Sequence, residues 1–152
     1  MRIGRVERVW AAEELRPAVG WKVWRVSHEP EGARLRSVLY GDLWPVGEPF
    51  EARCRRSAHD EHEPPRPGCG CGIHAGRELA AWEHYLAVDP ANRVFGRVLL
   101  WGATIEGRHG WRAARACPAE IFVPAGVELA DGLEQYGVPL RRLGRVRELA
   151  LR

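Results

Sequence analysis

The side chains with the most chemistry crowd into one stretch. Between positions 54 and 74 the chain carries Cys54, His59, His62, Cys69, Cys71 and His74. Thiolates combined with imidazoles suit zinc or an iron–sulfur cluster and suit calcium or magnesium poorly. A structural zinc needs four ligands in a tetrahedral array, which three cysteines and one histidine satisfy. The simplest set is Cys54-x7-His62-x6-Cys69-x-Cys71, with His59, His74 and the distant Cys117 as alternative ligands. Two ligands one residue apart reach the same ion only where the backbone turns sharply. Gly68, Gly70 and Gly72 bracket the two sulfurs, and glycine reaches positive φ at little steric cost. The run PGCGCG is therefore suited to presenting two thiols to one centre.

The same ligands fit a second kind of centre. Three cysteines and one histidine, including a C-x-C, resemble the ligand inventory of the CDGSH-type [2Fe–2S] proteins, which implies electron transfer or redox sensing. The Cys-Asp-Gly-Ser-His run of that family is absent, so no residue roles carry over. His74, three positions after Cys71, keeps Cys54, Cys69, Cys71 and His74 open as another set. A third reading is a zinc-dependent, hydrolase-like enzyme. A catalytic zinc keeps one position open and has a general base close by, and Asp60, Glu61 and Glu63 flank His62. Carboxylates beside ligands more often orient the imidazole or face solvent. A nucleobase deaminase carries H-x-E followed by P-C-x-x-C on a helix, whereas here C-x-C lies in a segment without helical periodicity. A Cys69–Cys71 disulfide would be strained by its short spacing. The chain has no G-x-S-x-G elbow, no Walker or Rossmann glycine loop and no kinase signature.

Outside this stretch, Cys117 before Pro118 reads as a small buried thiol, and His28, His84 and His109 as surface or hydrogen-bonded residues rather than catalytic bases. Seven tryptophans are many for this length. Trp24, Trp82 and Trp101 are expected in the core. Trp10, Trp21, Trp44 and Trp111, if gathered at the surface, would form a stacking platform for bases, sugars or a peptide.

The elements that must position these groups belong to a chain of 152 residues, about one domain, 1–152. That length can bury a core without a metal's help. Hydrophobic residues at 45% and charged residues at 28% fit an ordinary globular protein. The net charge of +3 is mild, and Lys22 is the only lysine. The arginines are spread along the chain and interleaved with glutamates, which gives a nucleic-acid partner only weak support. No apolar run is long enough to cross a bilayer, and the charged first twenty residues do not form a signal peptide. The expectation is a cytoplasmic protein with free thiols, no membrane partner, and an unidentified protein or small-molecule partner.

VGWKVWRVS and ARLRSVLYG read as strands joined by a turn at HEPEG. Residues 45 to 76 form a long loop with Pro45, Pro49, Pro64, Pro65 and Pro67. GRELAAWEHYLAVDP has helical spacing, NRVFGRVLLWGATIEG is strongly β-like, WRAARAC returns as its hairpin partner, and IFV is a short edge strand. GVELADGLEQYGV reads as a further helix, and the tail repeats Leu140, Leu143, Val146 and Leu149. GWKVWRV and GWRAARA share a G-W-basic-x-x-R pattern, as two strands in similar surroundings would. The expected fold is α+β: a small, mostly antiparallel twisted sheet or partial barrel of five or six strands, two or three short helices, and a long Cys/His loop. The expected function is metal binding within a binding or adaptor module, with structural zinc first, a [2Fe–2S] centre second, and hydrolase-like or nucleic-acid-binding roles behind them.

Overall fold

The computed structural model describes residues 1–13, 17–55, 61–128 and 131–144. Its framework is a hairpin of two long strands, β6 (Arg93–Gly107) and β7 (Gly110–Val123), joined by the two-residue turn Arg108–His109. β1 (Val6–Trp10) and β2 (Ala18–Glu29) share the outer edge of β6. β2 folds back into β3 (Gly32–Ser37) through a second tight turn. Along the outer edge of β7 lie β5 (Ile73–Gly76), β4 (Phe50–Glu51) and β8 (Leu140–Arg142). All pairings are antiparallel except the parallel β7–β8 contact. β5 also touches β2 through Trp21 and Gly76. The pairings β6–β2, β2–β5, β5–β7 and β7–β6 therefore return on themselves.

Two irregularities bend the long hairpin. β6 carries an extra residue between Trp101 and Thr104, where Gly102 has φ +76°. β7 carries one between Pro118 and Glu120. A bulge is where a proline can sit inside a sheet without removing a ladder hydrogen bond. This is why β7 runs through Pro118 and absorbs IFV, which the sequence reading made a separate edge strand.

Both faces of the sheet are covered where β2, β6 and β7 run together. The inner cluster includes Trp24, Leu35, Trp44, Val94, Val98, Leu100 and Ile121. Alternate residues on the same strands, Val23, Phe95 and Phe122, turn the other way under Trp82. The consecutive apolar pair Val94–Phe95 follows from this double burial, each residue facing a different core, whereas Leu99 and Trp101, the latter expected in the core, are half-buried and join neither cluster. A short cover made of a 3-10 turn (Leu79–Trp82) and α1 (Glu83–Ala87) lies over the outer cluster.

The α+β expectation is thus corrected. Among the described residues the fold is mostly sheet, one mixed sheet of eight strands, and the longest α-helix has five residues. The helix expected over 126–138 is a 3-10 turn at Leu133–Tyr136. Gly126, Gly132 and Gly137 all hold positive φ there, which interrupts a helix, and a side chain at position 132 would collide with the Ala33 backbone. The opening residues, ambiguous between helix and strand, form β1. The long loop contributes two strands, β4 and β5. The apolar repeats at Val146 and Leu149 lie outside the described residues. Among the described residues no helix is long and apolar enough to cross a membrane.

The closest approach in the framework is at Gly96, where a Cβ would run into the Glu120 carbonyl oxygen and the Ile121 backbone. Gly96→Ala is expected to lower stability by about 1–3 kcal/mol, the usual range for overpacking. Urea unfolding followed by circular dichroism checks this, and an unchanged midpoint would show that the two strands are not so tightly apposed.

Candidate metal centre

Four side chains from three parts of the long loop converge. Cys54 leaves β4 where the Ala52 amide donates to Ala114 O at 2.9 Å, which keeps this exit against β7. His62 approaches from the segment before the prolines. Cys69 sits in a turn closed by its own amide on Arg66 O at 3.1 Å, and Cys71 lies two residues before β5. The donor atoms of Cys54, His62, Cys69 and Cys71 all lie within 4.8 Å of one another. Cys54 Sγ is 3.6 Å from Cys69 Sγ, and His62 Nε2 is 3.3 Å from Cys71 Sγ. A tetrahedral zinc with bonds of about 2.3 Å to sulfur and about 2.0–2.1 Å to nitrogen places its ligand atoms about 3.6–3.8 Å apart. The group therefore has the size and the donor chemistry to hold a metal ion.

The local electrostatics follow from crowding and burial. The Cys71 amide directed at Cys69, together with the Cys54 thiol beside it, brings the Cys69 thiol down to about 7. Burial pushes the Cys71 thiol up to about 11. Three thiols this close cannot all ionise without a cation to offset them. One cation is already at hand. Arg112 on β7 is 6% exposed and donates from its two terminal nitrogens to Cys71 O at 2.7 Å and Arg66 O at 3.0 Å. Its guanidinium spans the loop from underneath, fixing the residues on both sides of Cys69. Burial works against its charge, while Cys71 and Cys69 as thiolates favour it.

The other candidates fall elsewhere. His74 is on β5, outside the group of four, with Nδ1 3.1 Å from Gly72 O. Burial, reinforced by the charge of Lys22, holds its imidazole down to about 4. Cys117 is on β7 opposite Leu99, also outside the group, and burial raises its thiol. His59 and Asp60 lie outside the described residues, and Glu61 and Glu63 are exposed. His28, His84 and His109 are exposed as well. The tryptophan platform is not assembled, since Trp10 and Trp44 are buried in the inner core.

Arg112 was missed by the sequence reading, although a signal for it existed. Gly110-Trp111-Arg112 and Gly20-Trp21-Lys22 are the two ends of the G-W-basic echo, and they flank β5 from opposite sides. Each glycine faces β5 at a distance that admits no side chain, Gly20 against Ala75 and Gly110 against the Ala75 carbonyl. Each basic residue then reaches a backbone carbonyl of β5 or the loop before it.

The glycines of PGCGCG also divide. Gly68 and Gly72 hold φ +85° and +112°, whereas Gly70 has ordinary φ and open space where a Cβ would go. A side chain at 72 would in addition press on Pro65 and Arg112. Gly72→Ala is expected to weaken uptake of a metal by about 5- to 150-fold, the equivalent of about 1–3 kcal/mol of backbone strain. Gly70→Ala should leave it within error of the unmodified chain. Competition with a chromophoric chelator measures both, and equal losses would mean that the turn is made differently. No protein-family model, curated protein or solved structure matches this chain.

Proposed function

We infer that the chain is a zinc-binding protein in which Cys54, His62, Cys69 and Cys71 hold one structural ion that pins the long loop to the sheet. The observation that carries this reading is the mutual approach of four soft donor atoms within 4.8 Å. Zinc accepts such a set without change of oxidation state and without a preferred geometry of its own. Four protein ligands complete a tetrahedron and leave no position for a substrate, which favours a structural role over the hydrolase-like one. Three thiolates and one imidazole around Zn²⁺ carry a net charge of −1, and the buried Arg112 offsets it. Ligation through Nε2 of His62 leaves the ring proton on Nδ1, so the Arg66 guanidinium now 3.3 Å away turns outward on binding.

A [2Fe–2S] centre is the second reading, because it takes the same ligand types. Its two irons would divide the ligands into two pairs with the inorganic core between them. Atoms that all lie within 4.8 Å of one another fit a single ion better. In either case the module works in a reducing compartment such as the cytoplasm, where its thiols persist, and serves as a binding or adaptor unit rather than an enzyme. Burial of Trp10 and Trp44 removes the stacking surface that a nucleic-acid role would use.

Protein purified without oxygen should be colourless and carry about one zinc per chain by elemental analysis. Cys54→Ser or Cys69→Ser should lose that zinc and lower the thermal midpoint, while Cys117→Ser keeps it. A brown sample absorbing in the visible would replace zinc with the cluster. A metal-free protein indifferent to chelators would end both readings.

A further inference from the structure

Both buried charged side chains among the described residues are cations, Lys22 and Arg112. Arg112 is answered by the thiols and by two loop carbonyls. Lys22 is not answered in this way. It is 6% exposed, and no carboxylate among the described residues pairs with it. Its Nζ donates to His74 O at 2.9 Å, and it stands 5.0 Å from the Trp82 ring centre and 5.7 Å from that of Trp44. One carbonyl leaves two of the three ammonium hydrogens uncommitted. Indole faces ease the burial of a cation but do not neutralise it.

What lies in front of this group is not packed protein. A groove of about 1210 Å³ runs past Lys22, Trp82 and His74 to Cys69, Cys71 and Tyr40. A desolvated ammonium at the wall of such a groove is costly unless an anion meets it. An ordinary surface lysine would have spared the fold that cost, and the chain has no other lysine anywhere. Aromatic and apolar surface with one convergent charge is also the usual make-up of a small-molecule site.

We propose that this groove binds a small molecule through an oxyanion, carboxylate or phosphoryl, seated on the Lys22 ammonium against the Trp82 ring. The site is separate from the four metal-binding side chains and faces the same groove, so it stands whichever ion they hold.

Burial brings the Lys22 ammonium down to about 7. The groups that act on its surroundings are the Met1 ammonium, itself lowered by burial and by Lys22, the His74 imidazole on β5, Arg112 on β7, and the thiols of Cys69 and Cys71 along the same groove. His74 stays neutral above pH 5, because its own value is about 4. A raised charge on Lys22 is needed for the anion, so binding is strong below the Lys22 value and is lost as pH rises through it.

The test is a titration of the full purified chain with sulfate and, separately, with acetate, at constant ionic strength held by chloride. Both probes keep one charge state between pH 6 and 8. The readout is the indole N–H resonances of Trp82 and Trp44 in a nitrogen–proton correlation spectrum. The expected result is a saturable shift with at least one probe, with apparent affinity about tenfold weaker at pH 8 than at pH 6, as the competent fraction falls. Preference for sulfate identifies a phosphoryl-type ligand, and preference for acetate a carboxylate. Lys22→Met should abolish the shift while keeping the metal content and the rest of the spectrum, which also shows that the variant folds. A shift that survives in Lys22→Met, or no saturable shift with either probe, would overturn the proposal. Should Lys22→Met fail to fold, Lys22→Gln, which keeps a donor for the His74 carbonyl but no charge, decides: a saturable shift that survives in it overturns the proposal.

Discussion

A single buried guanidinium ties the irregular half of the molecule to the regular half. Arg112 projects from β7 beneath the cysteine loop and donates to carbonyls on either side of Cys69. Loop backbone normally runs over the surface because its polar groups need partners. Here two of those partners are supplied from inside, by a planar fork whose two donors are held in fixed register. The charge this places under the loop is also the charge that a set of thiolates requires. One side chain therefore settles the path of the loop and the electrostatics of the candidate centre together.

β5 is the second part of that arrangement. It begins two residues after Cys71 and slots between β2 and β7. It can enter only because Gly20 and Gly110 clear its path on both sides. The basic residue two positions after each glycine then turns inward, Lys22 to His74 O and Arg112 to the loop. The repeated G-W-basic pattern is a record of this shared neighbour rather than of a duplicated unit.

The candidate centre was legible in sequence because its logic is local. Soft ligands of the right number fell within eighteen residues, and glycine beside them announced a sharp turn. Spacing favoured His62 over His74, and His62 Nε2 lies 3.3 Å from Cys71 Sγ while His74 falls outside the group of four. The fold was less legible. Leu79, Trp82 and Leu86 have helical spacing because a short cover must lay an apolar side on Phe95 and Phe122, yet that spacing says nothing of how soon the helix ends. Glycines at 126, 132 and 137 can be tolerated in a helix or can break one, and it is the contact of Asp131 and Gly132 with β3 that local sequence does not show. Ring closure through β5 depends on pairs far apart in the chain, which no local pattern encodes. Lys22 was noticed as the only lysine, but its burial is a property of Trp44 and Trp82 reaching it from distant segments.

The contact of β2 with β5 is a single residue pair, Trp21 with Gly76, whereas β6 and β7 hold each other along nearly their whole length. Proteins open locally where the fewest hydrogen bonds must break. The closed sheet accordingly has one weak seam, and that seam runs between the Lys22 strand and the strand that carries the cysteine loop. Opening there would part the Lys22 side of the groove from the strand that follows Cys71, so the proposed anion seat and the proposed ion site would loosen in one movement.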